Sequence, residues 1–184
     1  MFTRWLRALS WVALGACALS AQAQPAKGST MKLQSTAFAP NGAIPQKHTC
    51  EGTDVSPALS WSDVPANAKT LALIVDDPDA PDPKAPKTVW VHWVLIDIPK
   101  TATGLPEGGK PLPEGAREGM NDWKASGYRG PCPPIGRHRY YFKLYALDTQ
   151  LGLKAPTKAE LEAAMKGHIV GQAELIGTYE KQKK

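Results

Sequence analysis

Short apolar runs separated by proline and glycine set the pattern of this chain. Leu71-Ala72-Leu73-Ile74-Val75 is unbroken and apolar, which predicts a strand over residues 70–76 covered on both faces. Trp90 to Ile98 predicts a second strand, ended by Pro99. Arg139 to Leu147 predicts a third, and Ile169 to Tyr179 a last one. Met31 to Ser35 and Ala58 to Ser62 read as weaker strands, with turns marked by Asn41-Gly42 and Pro45. One helix stands out. Thr157-x-x-Glu160 is a capping box, Leu161, Ala164 and Met165 follow at helical spacing, and Gly167 closes the segment. Several strands and one late helix predict a mainly β sandwich with one or two short helices, not a parallel α/β sheet. Two stretches break the rhythm. Asp76 to Lys87 carries prolines at 78, 81, 83 and 86, and Pro99 to Arg137 is rich in glycine and proline. Long connections of this kind often form binding or lid regions.

The start of the chain reads differently from the rest. Arg4 and Arg7 form a short basic region, Leu6 to Leu19 is mostly apolar, and Ala21-Gln22-Ala23 is a small-x-small cleavage site. This predicts a signal peptide over residues 1–23, with Gln24 as the new terminus and a periplasmic or secreted destination. Leu14-Gly15-Ala16-Cys17 offers a competing lipoprotein reading, in which Cys17 is lipidated. The apolar residues beyond Cys17 and the Ala-x-Ala site weigh against it. The apolar run is short for a bilayer span, and no later stretch is long enough.

Length favours one domain, taken as residues 31–180. The whole chain has 22 Lys and Arg against 17 Asp and Glu; without residues 1–23 the excess falls to three. Nucleic-acid binders carry a dense basic stripe, and here the only basic run is the tail Lys181 to Lys184. Beyond the leader two cysteines remain, Cys50 and Cys132. An even count in an exported protein permits one disulfide, the alternative being two separate buried thiols.

Three segments carry candidate chemistry. Asp77-Pro78-Asp79-Ala80-Pro81 follows a buried strand, and its prolines hold Asp77 and Ala80 extended. The bland alternative is an acidic turn in solvent. His92 sits inside Trp90-Val91-His92-Trp93-Val94-Leu95. Strand alternation puts it on one face with Val94 and Ile96, where it needs a hydrogen-bond partner. A core histidine satisfied by a carbonyl is the alternative there. Gly127-Tyr128-Arg129-Gly130-Pro131-Cys132-Pro133-Pro134, followed by His138-Arg139-Tyr140, combines flexible glycines with N–H groups suited to an anion. It reads equally as a rigid surface loop. His48 and His168 read as structural, His48 on a surface loop, and Trp61, Trp93 and Trp123 read as core.

Taken together, Asp77 to Pro81, His92, Gly130-Pro131 and His138-Arg139-Tyr140 resemble the phosphatidylethanolamine-binding protein family, which includes the Raf kinase inhibitor protein. Cys50-Glu51-Gly52 and Ser56-Pro57-x-Leu59-x-Trp61 resemble its bacterial and archaeal branch, and the likeness spans about residues 31–180. The resemblance implies an antiparallel β-sandwich with a small pocket at one end for phosphate-like anions or phospholipid headgroups. It implies ligand-binding positions at Asp77, Asp79, Pro81, His92, Gly130, Pro131, His138 and Tyr140, and a cis peptide at Ala80–Pro81. Donors to the anion are expected from the Gly130 region and from both imidazoles. Asp77 is expected to orient a histidine, and Asp79 to do likewise or to meet an ammonium group. Eukaryotic members add a C-terminal helix, so the short tail after the last strand implies a more open pocket.

The expected function is therefore an exported binding protein without cofactor. The alternatives are an inhibitor or regulator of a partner such as a protease or kinase, and a hydrolase. Two histidines and a carboxylate also form the donor set of a facial metal triad. No Gly-x-Ser-x-Gly or His-Glu-x-x-His motif occurs, so the chain is not read as an enzyme, and neither sites for nucleic acid nor a metal centre are expected. Oligomeric state is left open.

Overall fold

The structure, a computed structural model, describes residues 31–182. The expected leader and Cys17 lie outside the described residues.

Strands β1 (Lys32–Ser35), β2 (Leu59–Ser62) and β5 (Gly104–Leu105) form a three-stranded sheet in the order β1-β2-β5. Strands β3 (Thr70–Asp77), β4 (Trp90–Pro99), β6 (Arg117–Glu118), β7 (Arg137–Leu147) and β8 (Ile169–Glu180) form a five-stranded sheet in the order β6-β4-β3-β7-β8. Every pairing is antiparallel. This is the sandwich expected from the pattern; β5 and β6 are two residues each and leave no periodic signal.

Strand β3 lies centrally between β4 and β7, and all eight of its residues are buried. Its odd positions Leu71, Leu73 and Val75 join Leu33, Leu59, Trp61, Trp93, Phe142 and Leu144 between the two sheets. Its even positions Ala72 and Ile74 face the other way, against Val94, Ile96, Leu161 and Met165. Helix α1 (Lys158–Met165) covers that outer face. Thr157 caps it, with the Thr157 hydroxyl and the Glu160 carboxylate bonding each other's backbone N–H as the sequence predicts. Burying the larger apolar side chains on both faces stabilises the fold by about 1.5–3 kcal/mol each, which explains an unbroken rather than alternating run in β3.

The same alternation sends two adjacent acids to opposite faces. Asp76 is fully buried and binds Lys143 Nζ at 2.8 Å and Lys158 Nζ at 2.6 Å, tying α1 to the sheet. Asp77 turns towards the sheet–sheet interior.

Alternation fails at His92. The pairing runs from Val75↔Trp93 to Asp76↔Val91, so His92 is the extra residue of a β-bulge. Val91 packs with Val94 and Ile96, while His92 meets Tyr140, which belongs to the cluster of Trp93 and Leu95. The face expected for His92 is therefore wrong, because a bulge depends on the partner strand's register and not on the local sequence.

Candidate functional site

Antiparallel order explains why distant segments meet. The C-terminal end of β3 lies beside the N-terminal ends of both β4 and β7. Asp77, His92 and His138 therefore converge at one end of the sheet, and all three line one cavity of about 300 Å³. Ala80, Pro81, Trp90, Trp123, Cys132, Pro133 and Pro134 complete its wall. An apolar lining with a few convergent polar groups is the usual make-up of a small-molecule site.

The Asp77–His138 pair is the buried anchor. His138 Nδ1 lies 2.7 Å from Asp77 Oδ2, and its Nε2 lies 3.0 Å from the Ile135 carbonyl. Both ring nitrogens face acceptors, so both are committed inside the protein. The other Asp77 oxygen accepts the Asp79 N–H at 2.8 Å, which holds the acidic turn in place. The peptide at Ala80–Pro81 is cis, as expected.

His92 is arranged differently. Its Nδ1 donates to the Arg129 carbonyl at 2.6 Å, and its own carbonyl accepts from the Arg129 N–H at 3.1 Å. Nε2 has no partner among the described residues. Burial holds the ring's pKa below its ordinary 6.5, against the weaker opposing pull of the Arg129 carbonyl and the nearby acids. The free protein at neutral pH therefore presents Nε2 as an acceptor. The sequence reading had it as a donor; protonation is needed for that role.

Four expected site residues stand outside the cavity wall. Asp79 is held by Arg139, whose Nη2, Nε and backbone N–H reach its two carboxylate oxygens at 2.7, 2.9 and 2.9 Å. That hydrogen bonding keeps the Asp79 carboxyl below its usual range and raises the Arg139 guanidinium, so Asp79 is an ion-pair partner and not a free group. Gly130 gives its N–H to Asp54 Oδ1 at 2.7 Å. A Cβ at Gly130 would sit 2.2 Å from the His48 carbonyl, so the absence of a side chain here lets the 48–49 backbone approach closely. Pro131 offers its carbonyl to the Cys50 N–H at 3.1 Å. Tyr140 lies behind the imidazoles, 5.2 Å from the His92 ring and 6.5 Å from that of His138. Its buried hydroxyl makes no hydrogen bond of normal geometry, though it lies near Asp77; burial, then that carboxylate, push its ionisation far up.

The sequence reading missed the aromatic wall. Trp123 is 41% exposed and lines the cavity, edge-on to Trp90 at 5.4 Å and to His92 at 5.2 Å. It was expected in the core. Buried Asn121 presents it: Oδ1 accepts from the N–H groups of Trp123 and Ala125, and Nδ2 donates to the Gly127 carbonyl. Asn121-Asp122 just before Trp123 is a turn signal that could have placed this indole on a loop. Cys50 and Cys132 form a disulfide with a Cα–Cα distance of 5.4 Å, which ties the cavity's Pro-rich wall to the segment after His48. His48 is buried, its Nδ1 2.9 Å from the Val55 carbonyl, so it is structural but not on the surface. Among the described residues no group of three His, Cys, Asp or Glu side chains is placed to hold a metal ion.

Comparison with known proteins decides the family. Residues 34–180 match the family model described as phosphatidylethanolamine-binding protein. The chain belongs to the phosphatidylethanolamine-binding protein family. Within it, the chain is 51% identical over 154 residues to the UPF0098 protein of Methanothermobacter thermautotrophicus, covering 81% of this chain and 98% of that one. The crystal structure of a phosphatidylethanolamine-binding protein homologue from Chlamydia trachomatis superposes with a TM-score of 0.77 at 44% identity, over 84% of this chain and 100% of that one. Escherichia coli YbcL, a member of the same family, superposes with a TM-score of 0.75 at 32% identity, over 83% of this chain and 99% of YbcL. The bacterial and archaeal branch of the phosphatidylethanolamine-binding proteins is thus the one this chain resembles in sequence and in fold.

Proposed function

We propose that this phosphatidylethanolamine-binding family member is an exported binding protein whose cavity takes a phosphate-bearing headgroup or a similar small anion. The observation that carries the reading is His92. It lines an apolar cavity, is fixed through Nδ1, and keeps Nε2 without a protein partner. Once protonated, Nε2 donates to an anionic oxygen in a site where burial strengthens that bond. Trp90, Trp123 and the Asp77 carboxylate surround the same space and suit an ammonium group on the other end of a zwitterion. The leader at residues 1–23 and the Cys50–Cys132 disulfide support export, since disulfides persist in oxidising compartments.

Binding is the reading advanced over catalysis because the lining residues offer His92 Nε2 no hydroxyl, amine or free thiol to activate: the cavity's sulfur, Cys132, is in the disulfide. The test is isothermal titration of glycerophosphoethanolamine into wild type and His92→Ala. A loss of about tenfold or more in the variant supports the reading, on the scale of one charged hydrogen bond. Equal affinity for both overturns it.

A further inference from the structure

A second cavity, of about 250 Å³, is lined by Cys50, Asp54, Trp123, Arg129, Gly130 and Cys132. Trp123 and Cys132 also line the His92 cavity, so one indole and one half of the disulfide wall both spaces.

The second cavity holds one charge of each sign, kept apart. Arg129 Nη1 lies 3.9 Å from Asp54 Oδ2, beyond hydrogen-bond length. Elsewhere the fold closes such pairs: Arg139 spends Nη2 and Nε on Asp79, and Arg117 spends Nη2 on Asp97. The Arg129 guanidinium donates no hydrogen bond among the described residues, and its side chain is 54% exposed. Both charges are nevertheless held in place. Asp54 Oδ1 accepts the Gly130 N–H at 2.7 Å, which fixes the carboxylate. The Arg129 backbone is clamped to His92 in both directions, its N–H on the His92 carbonyl at 3.1 Å and its carbonyl on Nδ1 at 2.6 Å. The residue that orients the His92 ring thus also roots the guanidinium of the adjoining space. Fixing both groups before a ligand arrives lowers the entropic cost of binding.

Opposite charges held apart suit a group that carries both. A lone anion in this cavity meets Arg129 but also the Asp54 carboxylate, and a lone cation meets the reverse. An α-amino acid presents a carboxylate and an ammonium on one carbon. The carboxylate matches the guanidinium fork, and the ammonium finds Asp54 Oδ2 and the Trp123 ring.

We propose that the second cavity is a subsite for a zwitterionic amino-acid group, Arg129 taking its carboxylate and Asp54 its ammonium, and that the two cavities together bind a phosphoserine group, free or as the headgroup of a phospholipid. The proposal rests on the His92 cavity taking the phosphate. It adds a preference to that reading, because an ethanolamine headgroup has no carboxylate to offer Arg129.

The test is isothermal titration of glycerophosphoserine, O-phospho-L-serine and glycerophosphoethanolamine into wild type, Arg129→Gln and Asp54→Asn. Wild type is expected to bind glycerophosphoserine about tenfold or more tighter than glycerophosphoethanolamine, on the scale of one charged hydrogen bond. Arg129→Gln keeps the backbone bonds to His92 and removes the guanidinium, while Asp54→Asn keeps an acceptor for Gly130 and removes the charge. In each variant the ratio of the two affinities falls towards one. Binding of O-phospho-L-serine that Arg129→Gln weakens assigns the site to the free phosphorylated amino acid; an Arg129 effect confined to glycerophosphoserine assigns it to the lipid headgroup. The inference is overturned if wild type binds the two glycerophosphodiesters equally, or if either variant keeps the wild-type preference for serine. The two readings fail separately. Wild type that binds glycerophosphoethanolamine with no gain for serine loses only the second subsite, whereas wild type that takes up none of the three ligands loses the His92 cavity as well.

Discussion

Asp77 and His138 form a fully internal pair, 2.7 Å apart, with the second ring nitrogen of His138 on the Ile135 carbonyl. The pair lines the cavity, and the ring nitrogen left without a partner there is His92 Nε2. The two histidines therefore respond differently to mutation. His138→Ala strands a buried carboxylate and lowers stability by about 3–5 kcal/mol. His92→Ala loses one neutral hydrogen bond and costs about 1–2 kcal/mol. Urea denaturation of the two variants beside wild type checks the order; equal losses would contradict it.

Acid weakens the fold through Asp79. Its carboxyl titrates below its ordinary 3.8 because Arg139 binds the charged form. The folded state thus binds fewer protons than the unfolded state near that pH. The stabilisation is fully present above 3.8 and is lost as pH falls through the lower folded value. Arg139→Gln removes it, and the variant's denaturation midpoint should decline less steeply between pH 4 and the acid limit than wild type's.

The disulfide supports both stability and the pocket. It joins residues 82 apart in sequence, for which the chain-entropy model sets a ceiling of about 4–5 kcal/mol. Cys50→Ser/Cys132→Ser should lower the urea midpoint. It should also weaken glycerophosphoethanolamine binding, because Cys132, Pro133 and Pro134 form one wall of the cavity. Titration of the double variant checks the second effect.

On the far face, Asp76→Ala leaves Lys143 and Lys158 with an unbalanced charge beneath α1. A loss of about 3–5 kcal/mol is expected from breaking a buried pair on one side. Headgroup affinity should stay as in wild type, since Asp76 points away from the cavity. Denaturation and titration of the same preparation read both.

Strands β3, β4 and β7 were legible because each is a long apolar or aromatic run, and α1 because its cap is encoded in four residues. The meeting of Asp77, His92 and His138 was legible as a resemblance, and antiparallel pairing supplies its physical cause. The finer chemistry was not. Gly130 and Asp79 carry groups that suit a ligand, yet Asp54 and Arg139, distant in sequence, take them up. Which partner claims a donor is a long-range property that no local pattern holds. The exposed Trp123 was hidden for the converse reason: a large apolar residue looks like core until its loop is seen to run along the surface.

The account turns on the protonation of His92. Burial keeps its pKa below 6.5 in the free protein, and in the proposed function an anion binds the charged ring. The ligand must therefore raise that pKa, and its affinity must fall as pH rises. Above the free pKa the fall approaches about tenfold per pH unit, the limit for one required proton. NMR titration of the His92 ring with and without glycerophosphoethanolamine, a phosphodiester of constant charge over this range, measures both. A free value under 6.5 that climbs in the complex is the expected result. A His92 pKa that the ligand does not move, with affinity flat across neutral pH, would contradict the account.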